Sequence, residues 1–121
     1  MNNLLNNPLF LIPLTTGLIF VVTGFVMLKF PPKKINYFYG YRTANSMKNQ
    51  ARWDFAQTYS AKEMIKYGWV LLLISLVGII FQPEKGAETL IGTGVMIFIF
   101  MVIVIALIMK VEKEIKNKFG G

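Results

Sequence analysis

Arg42, Thr43, Ser46 and Lys48 stand within seven positions of one another in a chain that is otherwise 55% hydrophobic. A guanidinium fork, two hydroxyls and an ammonium form a donor set suited to a phosphate or carboxylate. A helix starting near Ser46 would aim its first unpaired amides to the same side. These residues belong to one polar run, 40–57, reading GYRTANSMKNQARWDFAQ. A structural use of the same residues is the favoured rival: Arg42 paired with Asp54 or capping a neighbouring helix, and Ser46 capping its own. Sequence alone excludes neither.

Catalytic readings fail by absence. The chain has no His and no Cys, which removes a catalytic triad, a thiolate nucleophile and the common zinc sites. Around the polar run the carboxylates are Asp54 and Glu63, nine residues apart, so on one straight helix they point in different directions and form no acid/base pair. No catalytic residue, metal site or cofactor is expected. Asp54 reads as a solvated charge or an ion-pair partner. Coupled transport is disfavoured as well, because the apolar stretches offer hydroxyls such as Thr15, Thr16, Thr23, Ser75 and Thr93 where proton or sodium paths use ionisable groups. An oligomeric pore or homo-oligomer is left open.

The elements that hold the run are membrane helices. About 20 mostly apolar residues cross a hydrocarbon core of roughly 30 Å. Three stretches qualify: 9–28, 64–81 and 90–109, with Lys66 at the edge of the second as their only charged residue. A signal peptide fits the first poorly, since no Lys or Arg precedes Lys29. Twelve of the 13 basic residues fall between Lys29 and Lys66 or in the tail 110–121, and Lys85 alone lies in the other connection. The positive-inside bias therefore expects the 29–63 segment and the C-terminus in the cytoplasm and the N-terminus outside, in a bacterial inner membrane. The net charge of +7 then favours anionic lipid headgroups over nucleic acid as partner.

Within that frame, Pro31-Pro32 ends the first span and opens a loop in which Tyr37, Phe38, Tyr39 and Tyr41 crowd together. They suit either interfacial anchoring or a packed turn. Gly17 and Gly24, one heptad apart, would let another helix approach, although glycine is common in membrane helices generally. A turn at Gly40 to Asn45 precedes a helix expected from Ser46, capped by Asn45 or Ser46. Its apolar stripe Met47, Ala51, Phe55 and Tyr59 suggests an amphipathic helix lying along the inner surface before the second span, with packing under the bundle as the rival. Gln82 to Gly86 reads as a turn joining spans two and three into a hairpin. Val111, Ile115 and Phe119 extend the third span as a charged helix ending at Gly120-Gly121. The fold class is an all-α membrane protein with three transmembrane helices in a single domain.

GYRT at Gly40 to Thr43, SMKN at Ser46 to Asn49, then Trp53 and the amide of Gln57 resemble the signature of the SdpI family of bacterial membrane proteins. The resemblance implies an immunity or signalling protein. The best-known member of that family protects the cells that make a secreted killing peptide and draws a cytoplasmic repressor to the membrane. By resemblance, the motif residues Gly40, Tyr41, Arg42, Thr43, Ser46, Lys48, Asn49, Trp53 and Gln57 would meet an anion, a peptide toxin or a cytoplasmic regulator. This chain is shorter than that member, and Gln57 stands where the family pattern often has asparagine. A structural or regulatory membrane subunit is the alternative function, and a lipid-modifying enzyme using Asp54 or Glu63 with Arg42 is a third.

Overall fold

A computed structural model describes residues 2–120 as five helices: α1 (Asn2–Leu5), α2 (Pro8–Lys29), α3 (Gln50–Ser75), α4 (Val77–Ile80) and α5 (Ala87–Phe119). Among the described residues there is no strand. Three helical segments are long and apolar enough to cross a membrane: α2, α3 continued by α4, and α5. The expected end of the tail at Gly121 lies outside the described residues.

α2 starts where Asn7 takes an extended conformation and accepts the Leu9 N–H, with Pro8 in the first turn, where its missing amide hydrogen is harmless. Its 22 residues give about 33 Å, one hydrocarbon thickness. It ends at Lys29, ahead of Pro31-Pro32. At the opposite end of the bundle the Asn7 amide donates to the carbonyls of Gly78 (2.7 Å) and Phe81 (3.1 Å), tying the start of α2 to α4.

Gly17 and Gly24 are buried against α3. A Cβ on Gly17 would stand 2.9 Å from the Gly68 carbonyl oxygen, and one on Gly24 would stand 2.7 Å from that of Ala61. Gly68 answers from α3, where a Cβ would lie 2.6 Å from Val21. Close backbone approach of small residues substitutes for the hydrophobic drive that lipid does not provide.

The surface helix expected before the second span is not a separate element. α3 runs unbroken from Gln50 to Ser75, because no glycine or proline interrupts it before Gly68 and Gly68 is spent on packing. It begins four residues later than expected, with Asn49 as cap: its side chain accepts the Arg52 N–H at 2.9 Å. Its buried face carries Trp53, Ala56, Gln57, Ser60, Ala61 and Glu63, while Ala51 is exposed. Phe55 and Tyr59 of the expected stripe turn to α5 instead, stacked at 5.5 Å, with Phe55 edge-on to Phe119 at 5.7 Å. There they cover a small core of Ala56, Leu107, Val111 and Ile115.

α3 and α4 together take 31 residues and α5 takes 33, about 47 and 50 Å. Both exceed a hydrocarbon core of roughly 30 Å, so their ends project beyond it on the side of the polar run. The extension of α5 beyond Met109 is helical to Phe119, as the spacing of Val111, Ile115 and Phe119 implies.

Candidate functional site

Residues 30–49 fold as a cap on this projecting end. Its central join is an amide clasp: the Gln57 side chain accepts the Tyr41 N–H at 2.6 Å and donates to the Tyr41 carbonyl at 2.7 Å. Gly40 makes the clasp reachable. Its φ of 107° is in the left-handed region, and a Cβ there would collide with the Gln57 side-chain oxygen. Trp53 is fully buried and donates from its indole nitrogen to the Pro32 carbonyl at 2.6 Å, so both ends of the loop rest on α3. Thr43 and Ser46 close a reciprocal pair: the Ser46 oxygen accepts from Thr43 N–H (2.9 Å), and the Thr43 oxygen accepts from Ser46 N–H (3.1 Å). Ser46 is therefore the closure of a turn and lies buried, three residues ahead of the helix cap.

The cap is also fastened to α5 through a residue outside the polar run. Glu112 accepts hydrogen bonds from the hydroxyls of Thr43 (2.7 Å) and Tyr41 (2.8 Å). Glu112 lies past the apolar part of α5. Burial pushes its pKa up, but the hydroxyl donors outweigh that and hold the carboxyl below its ordinary value. Tyr41 is pushed the other way, first by burial and then by bonding to the carboxylate, so its phenol stays protonated and donates. A second fastening is Arg52, buried, which donates to Asn45 (2.7 Å) and to the carbonyls of Phe119 (3.3 Å) and Gly120 (3.1 Å). Its guanidinium also lies over the Phe119 ring at 5.6 Å. A cation at the last free carbonyls suits the negative end of α5.

The expected anion-binding set is thus divided. Thr43 and Ser46 turn inward, and Asn49 is occupied as the cap of α3. Arg42 remains exposed, with Nη1 directed at the Tyr37 carbonyl. Lys48 is exposed. Asp54 is not Arg42's partner, since it accepts from Gln50 at 2.8 Å on the exposed side of α3. Of the crowded aromatics, Tyr39 and Tyr41 are bonded into the cap, whereas Tyr37 (80% exposed) and Phe38 (91%) project from it. The packed-turn reading thus describes Tyr39 and Tyr41, while Tyr37 and Phe38 stand clear of the turn.

Under the clasp lies a cavity of about 320 Å³. Its roof is Tyr39 to Thr43, and its walls are Thr23 and Met27 of α2, Met64 of α3, and Leu107 and Ile108 of α5. Close by, Glu63, 3% exposed, pairs with Lys110 of α5 at 3.0 Å and Lys66 at 3.3 Å. Glu63 and Asp54 face different surroundings and share no site.

Sequence reasoning placed the cap residues and missed their anchors. Glu112 and Arg52 carry no motif signal of their own, and Glu63 reads in the sequence only as a carboxylate for catalysis, not as a buried ion-pair partner. Only the spaced-by-four apolar stripe of the α5 extension hinted that this segment packs, which would bring its adjacent carboxylate against another element.

Three spans closed at one end by an ordered polar cap define a class of helical membrane protein whose recognisable residues lie in the cap. The chain matches the SdpI/YfhL protein family over residues 33–111, most of its length, and it belongs to that family. It is 45% identical over 58 residues to uncharacterized protein YfhL of Bacillus subtilis (strain 168), a match covering 48% of this chain and 53% of that protein. The chain therefore spans about half the length of this relative. No solved structure matches.

Proposed function

We propose that this chain is a membrane immunity or toxin-sensing protein of SdpI type, which protects a bacterium against a membrane-active peptide through its motif-bearing cap. In this reading the cap and the C-terminal end of α5 face the cytoplasm across the inner membrane, following the bias of basic residues to that end. The observation that supports it most is the build of the motif. Tyr41, Thr43, Ser46 and Gln57 form one bonded unit, fastened to α5 through Glu112; Gly40 turns the loop into it, Trp53 holds the start of the loop at Pro32, and Gly40 to Thr43 roof a cavity walled by all three spans. A disturbance of span packing by a membrane-active peptide reaches the motif directly.

Expression in a toxin-sensitive strain tests this. Survival against peptide toxins of related bacteria is expected to rise, and Arg42→Ala, an exposed change, should abolish the gain at unchanged protein level. Absence of protection against every such toxin would sink the immunity role. A regulatory subunit is the second reading, favoured by the projecting Tyr37 and Phe38. It expects Tyr37→Ser with Phe38→Ser to release a co-purifying cytoplasmic protein while leaving survival unchanged.

A further inference from the structure

We propose that the cavity beneath Gly40 to Thr43 is a site for one anionic phospholipid, with its phosphate at Arg42 and the first part of one acyl chain between α2 and α5. The cavity's chemistry is split in the way such a ligand is. Met27, Met64, Leu107 and Ile108 offer apolar contact, and the roof at Tyr39 to Thr43 is polar. About 320 Å³ sits at the low end of the roughly 300–1,000 Å³ typical of small-ligand sites. That is room for a glycerol ester region and the start of a chain, not for a whole lipid. Arg42 and Ile108 are the exposed lining residues, so the mouth lies between the loop and α5.

Charge complementarity selects the anionic headgroup. Arg42 commits Nη1 to the Tyr37 carbonyl, and among the described residues no carboxylate pairs with it. A guanidinium has five N–H donors, so a fork remains for phosphate oxygens. The one carboxylate bonded to the roof, Glu112, is held by Tyr41 and Thr43 and does not line the cavity. Met27 and Leu107 lie two and three residues inside the lysines that end the apolar stretches, Lys29 and Lys110. This is the depth at which a phospholipid passes from headgroup to chain. The proposal adds an occupant for the cavity and does not depend on the toxin reading, because lipid labelling and cell survival are separate measurements.

The full chain in phosphatidylcholine vesicles would be irradiated with a trace of phosphatidylglycerol carrying a photoreactive group high on one chain, and labelled residues mapped by mass spectrometry. Labels are expected on Met27, Met64, Leu107 and Ile108. Excess unlabelled phosphatidylglycerol should remove them, while phosphatidylcholine and soluble glycerol phosphate should not. Arg42→Ala should lower labelling roughly tenfold, the loss expected for a charged hydrogen-bond donor, and Arg42→Lys should keep most of it. Ile108→Trp, at the exposed mouth, should also lower it without changing the melting temperature. Labels spread evenly over the outer faces of α2 and α5 would overturn the site. Equal competition by phosphatidylcholine would remove the headgroup preference, and competition by glycerol phosphate would assign Arg42 to free phosphates. Unchanged labelling in Arg42→Ala would refute its role.

Discussion

Gln57 and Glu112 carry different parts of the cap's stability, and each is separable by a single change. Gln57 satisfies both backbone groups of Tyr41 with one side chain, in a place where water has little access. Gln57→Ala strands the Tyr41 N–H and leaves its carbonyl only the longer bond from the Ser46 hydroxyl (3.2 Å), at about 1–3 kcal/mol in all. A fall of several degrees in melting temperature in detergent is expected, together with faster proteolysis within residues 33–48. Native protease resistance in that variant would show that the clasp is not what orders the loop. Glu112 acts through charge. Its carboxyl is held below its ordinary pKa in the folded chain, so its contribution is fully present above the unfolded value and is lost as pH falls through the folded value. Glu112→Gln should therefore melt earlier at neutral pH, by the equivalent of roughly 1 kcal/mol given the group's partial exposure. The gap from the parent should narrow below the ordinary carboxylate range. A gap that stays constant down to strongly acidic pH would mean that the carboxylate's charge is irrelevant to the cap.

At the scale of elements, the three spans were readable because apolar length is a one-dimensional property, and the bilayer demands it of each helix separately. The join between α3 and its polar N-terminal half was not. An amphipathic stripe of Met47, Ala51, Phe55 and Tyr59 looks the same whether it faces lipid or another helix, and here Phe55 and Tyr59 meet the extension of α5. The buried face of α3 is instead small and polar at Ala56, Gln57, Ser60 and Ala61, a composition that hydropathy does not flag. For the same reason the cap motif was visible as unusual residues, but its bonds to Glu112 were hidden by 69 residues of separation. The glycines on α2 gave a partial signal. Gly24 is needed for close approach to Ala61, whereas Gly94 of α5 has nothing near where a Cβ would be. Gly24→Ile should cost about 1–3 kcal/mol by overpacking, read as a lowered melting temperature, and Gly94→Ile should leave it unchanged. Equal effects at the two positions would remove the small-residue contact from the account of this bundle.

For the whole molecule the deciding asymmetry is electrostatic. Twelve of the 13 basic residues gather at the capped end, and the opposite connection holds Lys85 with Glu84 and Glu88. Each basic residue near an anionic cytoplasmic leaflet gains about 1 kcal/mol, and moving so many across the bilayer during insertion is opposed, so one orientation should dominate. The same end holds the cap, the Arg42 mouth and the Glu63–Lys110 pair, so the proposed orientation would put the motif on the side open to a cytoplasmic regulator. Because the chain has no cysteine, single introduced thiols report sidedness without background. A membrane-impermeant maleimide applied to intact cells should label Lys85→Cys, and should label Lys48→Cys only after permeabilisation. Both positions are exposed in the fold, so protection of either reflects the membrane and not burial. Labelling of Lys48→Cys in intact cells would reverse the proposed orientation. It would turn Arg42 and the cavity toward the outer leaflet, where a secreted peptide arrives first and a cytoplasmic repressor has no access.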